Sequence, residues 1–224
     1  MSVAILNREL YSIPEAARLL EIPPSTLQWW LEGRGDQYAP VIRDQATGST
    51  AVTWGEFVEA RYLRQYRRAH GVPLWRLRDF IGQLRDEYQV PYPLAHFTPF
   101  VGEGQRLVLR LQEDLDLPKS LWAFVSVPSG EVMLTGPAEQ FLDRVEFAKD
   151  GDRWAERLRP LGRRSPIVID PERSSGIPTV RGIRTEVLAE LVAAGELTED
   201  VAADFGIPAK LVKAAVAFEW RDTG

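Results

Sequence analysis

The stretch Ala16-Ala17-Arg18-Leu19-Leu20-Glu21-Ile22-Pro23 has the pattern of two helices joined by a tight turn. The same pattern returns 185 positions later in Val201-Ala202-Ala203-Asp204-Phe205-Gly206-Ile207-Pro208. In both stretches a small residue lets the two helices approach, and an apolar residue fills the turn. The sequence therefore predicts a helix-turn-helix near each end of the chain, and a unit that occurs twice favours binding over catalysis.

Composition narrows the range of functions. The chain has 224 residues, 45% of them apolar, and no run of about 18 apolar residues that would predict a membrane helix. It has no cysteine and two histidines, which excludes thiolate chemistry and a histidine-rich metal site. The first residues lack the features of a signal peptide, so we expect a cytoplasmic protein.

Motifs of catalysis are absent from the sequence. It contains no Gly-x-x-x-x-Gly-Lys phosphate loop and no Gly-x-Ser-x-Gly nucleophile turn. The net charge of −5 argues against a dedicated binder of polyanions, and residues 1–90 contain 11 basic and 11 acidic groups. We therefore expect no enzyme and no cofactor, and any DNA would be bound through a local patch that a dimer doubles.

Residues 1–90 predict a winged helix-turn-helix followed by a pair of helices. Ser12 and Glu15 form a capping-box pattern at the start of the first helix. Residues 41–43 and 50–52 flank a turn, which predicts a hairpin as the wing. The last predicted helix of this region has an apolar a/d seam, which packs either within its own domain or against a second copy of the chain.

Residues 91–170 predict a small α+β middle domain. Alternating apolar residues over 106–111 predict a strand, and 122–127 with 131–134 predict a hairpin. The other predicted elements are a helix that begins at Pro137 and includes Val145, a short helix over 154–158, and a strand over 167–169. Four arginines in a segment broken by proline and glycine predict a linker or arm: Arg157, Arg159, Arg163 and Arg164.

Residues 171–224 predict the second helix-turn-helix. Its last helix, from Pro208 to Trp220, is mostly apolar, which favours contact with protein over reading of DNA. The opening motif of this region consists of Gly176, Pro178, Val180, Arg181, Gly182 and Arg184. With this motif the region resembles the bacterial domain of unknown function 433, a helix-turn-helix unit found in antitoxins, although Ile183 stands where threonine is usual.

The front of the chain is similar to the MerR-type winged helix in Ile13–Leu20, Glu59-Ala60-Arg61 and Arg67–Leu74. Together the two ends resemble a VapB-type antitoxin, whose partner is a PIN-domain ribonuclease toxin. The resemblance implies a protein that folds around the toxin, blocks its nuclease site and represses its own operon by binding operator DNA. We also expect it to be a homodimer. The predicted fold class is α+β, mainly α: an N-terminal winged helix-turn-helix, a small α+β middle region and a C-terminal helix-turn-helix.

Six residues are candidates for contact with DNA. The second helix of the front motif would offer hydroxyl and amide groups to a major groove, because Leu27, Trp30 and Leu31 are needed in the core. MerR-type proteins commonly have arginine near positions 28 and 29, where this chain has Gln28 and Trp29. Trp29 and Trp30 could instead pack in a core or in a dimer interface. The candidates are Ser25, Thr26, Gln28, Trp29, Arg34 after the helix and Arg43 in the wing.

Four arginines are candidates for contact with the toxin. A PIN-type nuclease holds its metal with clustered carboxylates, and one guanidinium can bind two carboxylate oxygens at once. Each arginine could also be an ordinary solvated side chain. The candidates are Arg163 and Arg164 on the predicted arm, and Arg181 and Arg184 at the turn that contains glycine.

Two alternative functions fit the same sequence. The chain could inhibit a partner protein without binding DNA. It could also be a MerR-like transcription regulator that senses a small ligand in the middle domain, where Trp122 and Phe124 could line a pocket.

Overall fold

The computed structural model describes residues 2–35, 37–70, 74–96, 103–115, 117, 122, 124–126, 132–149 and 153–221. Contacts divide the chain into two compact units. The first consists of Met1–Leu142 and Phe147–Ala155, and the second of Asp143–Glu146 and Glu156–Gly224. The described residues of both units form mostly helices, together with short sheets. This confirms the predicted α+β, mainly α, fold class. The predicted boundaries at residues 90 and 170 stay predictions.

The first unit begins with the predicted pair of helices and its tight turn. A capping box starts the first of them: the Ser12 N–H donates to Glu15 Oε2 at 2.8 Å, and the Glu15 N–H donates to Ser12 Oγ at 3.4 Å. In chain order the elements are α1 (Ser2–Leu6), β1 (Glu9–Ser12), α2 (Ile13–Leu20), α3 (Pro24–Glu32) and β2 (Ala51–Thr53).

The predicted wing hairpin is wrong. Strand β2 pairs antiparallel with β1, so that Val52 lies opposite Tyr11, and residues 41–45 form no strand. The N–H groups of Val41 and Ile42 both donate to the carbonyl oxygen of Trp30, at 2.9 and 3.0 Å. These two buried residues therefore satisfy the C-terminal end of α3 instead of forming a ladder with residues 50–52.

Two long helices follow, α4 (Trp54–His70) and α5 (Leu74–Tyr88). The a/d seam of α5 is buried inside the first unit: Leu77, Ile81 and Leu84 are at most 3% exposed. The seam therefore packs within the unit. Trp54, at the start of α4, is also buried, and its indole N–H donates to the carbonyl oxygen of Ala155 at 2.7 Å.

The middle region differs from its prediction at three places. Residues 106–111 belong to a helix, with Val108 and Gln112 buried at helical spacing. Residues 155–158 form a strand, and Val145 lies in a strand beyond the helix that contains Pro137. The predicted hairpin is confirmed by pairing of β3 and β4. The elements are α6 (Glu103–Asp114), β3 (Phe124–Ser126), β4 (Val132–Leu134), α7 (Gly136–Leu142), β5 (Val145–Phe147) and β6 (Ala155–Leu158).

The second unit combines a three-stranded antiparallel sheet with three helices. In the sheet, Val180 lies opposite Ile167 on one side and opposite Ile183 on the other. The helix-turn-helix predicted at Val201–Pro208 is formed by the last two helices, with Val201 and Val212 buried between them. The elements are β7 (Ile167–Val168), β8 (Thr179–Val180), β9 (Ile183–Arg184), α8 (Thr185–Ala193), α9 (Thr198–Asp204) and α10 (Ala209–Glu219).

Candidate functional site

Helix α3 divides into a buried side and an accessible side. The buried side is fixed in the core by Leu27, Trp30 and Leu31, none of which has measurable exposure. Ser25 and Gln28 are exposed and Thr26 and Trp29 are half-buried on the accessible side. Four of the six residues predicted to contact DNA are thus brought together on one helix, where their hydroxyl, amide and indole groups can form hydrogen bonds with a ligand.

The turn after α3 holds Arg34 and a residue that the sequence reading missed, Tyr38. The Arg34 N–H donates to the Tyr38 carbonyl oxygen at 2.7 Å, and the two residues form an antiparallel bridge. Tyr38 is 53% exposed as a residue, and its ring meets the Trp29 ring edge-on at 6.1 Å between centroids. Gly33 makes this turn possible, because its φ is +73° and a Cβ there would lie 2.2 Å from that carbonyl oxygen.

The structure places the side chain of Arg43, a predicted DNA contact, inside the protein. Its side chain is only 7% exposed, and all five of its N–H groups have acceptors inside the protein. It donates to Glu56 at 2.6 Å, to Glu32, to the Thr47 hydroxyl at 2.7 Å and to the Ala51 carbonyl oxygen at 2.8 Å. Arg43 therefore holds the loop between α3 and β2 in place.

A second arginine supports the same loop from α5. Arg85 donates to the carbonyl oxygens of Ile42 at 2.6 Å and Pro91 at 2.9 Å, and also to Asp44. Its Nη2 lies 3.9 Å from the fully buried carboxylate of Glu59. Burial raises the pKa of Glu59 to about 8, while Arg85 and the N–H of Leu94 act in the opposite direction.

In the second unit, the four predicted toxin-binding arginines differ in their partners. Arg163 is 3.7 Å from Asp143, and Arg184 is 3.6 Å from Glu186. Within the described part of the chain, exposed Arg164 and Arg181 form no ion pair with an acidic residue. Their charges are therefore the ones left available to a ligand.

The sheet brings Arg164 and Arg181 to one end. Arg164 precedes the start of β7 by three residues, Arg181 directly follows β8, and Ile167 lies opposite Val180. Arg181 and Gly182 form the tight turn between β8 and β9 with φ of +50° and +82°, as in a type I′ hairpin. This turn holds the Arg181 backbone in place while its side chain is exposed.

The other arginines of the predicted arm are structural. Arg157 lies in β6, and its Nε is 3.7 Å from both Glu146 and Asp170. Arg159 forms an ion pair with Glu146 and donates to the Ser165 carbonyl oxygen at 2.8 Å. The arm prediction was wrong for these two residues, because Arg157 lies in β6 and Arg159, directly after that strand, is held by Glu146 and Ser165.

The helices of the second unit are acidic. Residues 186–219 contain seven acidic and two basic residues. One of the two, Lys213, lies 3.2 Å from Glu199, and lowers the pKa of that carboxyl through a hydrogen bond. This charge balance opposes contact of α10 with DNA phosphates, in agreement with the apolar composition of that helix.

Two other kinds of site are absent from the described residues. Among the described residues, no three His, Asp or Glu side chains are grouped in a way that could hold a metal ion. In the same part of the chain, no helix has the length and apolar composition needed to cross a membrane.

The chain is similar to proteins of Mycobacterium tuberculosis. The uncharacterized protein Rv2308 is 35% identical over 227 residues, which covers 97% of this chain and 93% of that protein. A protein named "Putative antitoxin VapB45" is 29% identical over 215 residues, with 88% of each chain covered. The crystal structure of Rv2018 matches with a TM-score of 0.74 and 27% identity, over 94% of this chain and 99% of that one.

Residues 167–218 match a family model described as a protein of unknown function, DUF433. The match confirms the resemblance seen in the motif from Gly176 to Arg184. The MerR-type character of the front region stays a prediction.

Proposed function

The chain belongs to the same family as the mycobacterial protein Rv2308, and we propose that it is an antitoxin that neutralises a toxin and binds the operator DNA of its own operon. The relationship to VapB45 and the DUF433 match support a toxin-antitoxin role. In this proposal the toxin is a PIN-domain ribonuclease and the antitoxin acts as a homodimer. The identity of the toxin rests on the resemblance of the sequence to VapB-type antitoxins, and the dimer rests on the doubling of a local DNA-binding patch by symmetry.

The observation that carries the toxin-binding part is the placement of Arg164 and Arg181. They are exposed, lie at the same end of the sheet and have no acidic partner within the described residues. A guanidinium can bind the carboxylates of a nuclease site bidentately and displace the metal ion that they hold. We therefore assign these two residues to the contact with the toxin, ahead of Arg163 and Arg184.

Co-expression with the product of the neighbouring reading frame tests this assignment. The wild-type chain should co-purify with that protein and inhibit its ribonuclease activity. The double variant Arg164→Ala/Arg181→Ala should inhibit at least tenfold more weakly. Arg173→Ala is the matched control, because Arg173 is an exposed arginine of the same unit that lies 3.8 Å from Asp170. Absence of a complex, or equal inhibition by the double variant, would contradict the proposal.

The accessible side of α3 supports the DNA-binding part. Ser25, Thr26 and Gln28 offer hydrogen bonds to base edges and phosphates, and Arg34 offers one positive charge. Since Arg43 is buried in ion pairs, we expect affinity for DNA to depend only weakly on salt concentration.

A gel-shift assay on the promoter region tests this part separately. Gln28→Ala should weaken the shift, whereas Gln45→Ala, in the exposed loop after Arg43, should leave it unchanged. If the wild-type chain gives no shift while still inhibiting the toxin, the alternative holds: an inhibitor that does not bind DNA.

A further inference from the structure

Trp29, Tyr38 and Arg34 lie together at the end of α3, and we call these three residues the aromatic platform. Trp29 and Tyr38 meet edge-on with an interplanar angle of 75°. Arg34 and Tyr38 face each other across an antiparallel bridge, and residues paired in this way carry their side chains on the same face. Arg34 and the Tyr38 ring are therefore placed on the same face of the turn.

The turn fixes the backbone of Tyr38 without burying its ring. Gly33 leaves room for the Tyr38 carbonyl oxygen, and the Arg34 N–H donates to that oxygen at 2.7 Å. Tyr38 nevertheless remains one of the exposed large hydrophobic residues of the described chain. An aromatic ring that is held in position but contributes little to the core is available to a ligand.

Charge on the platform favours a nucleotide as that ligand. Among the described residues, Arg34 supplies one positive charge, and the nearby carboxylate of Glu32 is already bound by Arg43 and by the N–H groups of Thr47 and Gly48. A nucleotide has the complementary pattern, an aromatic base beside one phosphate. Stacking on aromatic side chains adds to the attraction between the phosphate and Arg34, and it tolerates any base, because every base has a π-face.

We propose that the aromatic platform binds a nucleobase that is unstacked from its strand, with the base against Trp29 and Tyr38 and the phosphate on Arg34. The proposal rests on the proposed function, because it uses the accessible side of α3, and it adds a ligand class. The base comes from single-stranded DNA or from a distorted step of the operator.

Fluorescence of 2-aminopurine tests the platform directly. When a short single-stranded DNA that contains 2-aminopurine binds to the wild-type chain, the fluorescence of that base should be quenched. Tyr38→Ala should remove the quenching and weaken binding at least fivefold, whereas Tyr38→Phe should retain both. Trp75→Ala is the control, because Trp75 is an exposed aromatic residue on α5, 57% accessible. Gly33→Ala should mimic Tyr38→Ala, since the added Cβ displaces the Tyr38 backbone.

The outcomes separate this proposal from the proposed function. Quenching that depends on Tyr38, with no shift of the operator duplex, supports the platform and removes operator binding. A shift of the operator duplex that Tyr38→Ala leaves unchanged, without quenching of 2-aminopurine, overturns the platform and retains operator binding. A third outcome would also overturn the platform. If the wild-type chain causes no quenching and Tyr38→Ala loses the complex with the toxin, the surface is a protein contact.

Discussion

Arg85 on α5 donates a hydrogen bond of 2.6 Å to the carbonyl oxygen of Ile42, in the loop that follows α3. The N–H of the same Ile42 donates to the carbonyl oxygen of Trp30, within α3. One buried residue therefore connects the candidate DNA-binding helix to α5. The position of the loop depends on this connection and on the ion pairs of Arg43 with Glu32 and Glu56.

Replacing Arg85 by methionine should loosen this loop. The substitution keeps the length of the side chain but leaves the buried Ile42 carbonyl without its donor, which costs about 1–3 kcal/mol. Hydrogen exchange of the amides in residues 41–50 should become faster. Arg78→Met, on the exposed side of the same helix, is the control and should leave exchange unchanged. Equal exchange in Arg85→Met and wild type would show that the bond does not hold the loop.

Replacing Arg43 should lower the stability of the protein, whereas replacing Arg34 should weaken its binding of nucleic acid. Arg43→Met removes the partner of two poorly exposed carboxylates, so the free energy of unfolding should fall by about 3 kcal/mol in urea titrations. Arg34→Ala, at an exposed position, should change stability by less than about 0.5 kcal/mol and should instead weaken binding of nucleic acid. An Arg43→Met variant as stable as wild type would contradict a structural role for Arg43.

Glu59 should make stability depend on pH. Its folded pKa of about 8 lies above the ordinary value of 4.5, so the folded state binds the proton more tightly than the unfolded chain. This contribution to stability is therefore complete below about pH 4.5 and is lost as the pH rises towards 8.

Glu59→Gln lacks the titrating group and provides the comparison. The free energy of unfolding of wild type should fall relative to that of Glu59→Gln between about pH 5 and 8, with a slope of up to about 1.4 kcal/mol per pH unit. Urea titrations at several pH values measure this difference. Glu87→Gln, at an exposed position on α5, should run parallel to wild type. If the free energy of unfolding of Glu59→Gln also ran parallel to that of wild type across this pH range, the raised pKa of Glu59 would be ruled out.

Arg181→Gly should separate toxin binding from folding. Arg181 has a φ of +50°, which glycine adopts readily, so the variant should change the free energy of unfolding by no more than about 1 kcal/mol. Loss of the guanidinium should nevertheless weaken inhibition of the toxin. Thermal unfolding and ribonuclease assays on the same preparation measure the two effects. Full inhibition by Arg181→Gly would remove this residue from the contact.

Local signals in the sequence predicted much of the chain correctly. The capping box of Ser12 and Glu15 and the apolar spacing of Leu27 and Leu31 depend on residues a few positions apart. Tyr38 could have been found from the sequence, because Gly33 and Gly35 indicate a tight turn directly after a helix. In residues 106–111, by contrast, alternation of apolar residues suggested a strand, while burial of Val108 and Gln112 follows the period of a helix.

The sequence by itself determined the two helix-turn-helix units and the turn at Arg181 and Gly182, since each is specified by short-range sterics and hydrogen bonds. Only the tertiary structure decided that Val52 pairs with Tyr11, that Arg43 is buried, and that Arg164 and Arg181 reach the same end of one sheet. Strand pairing and burial of charge depend on partners far away in the chain, and the local sequence does not identify those partners.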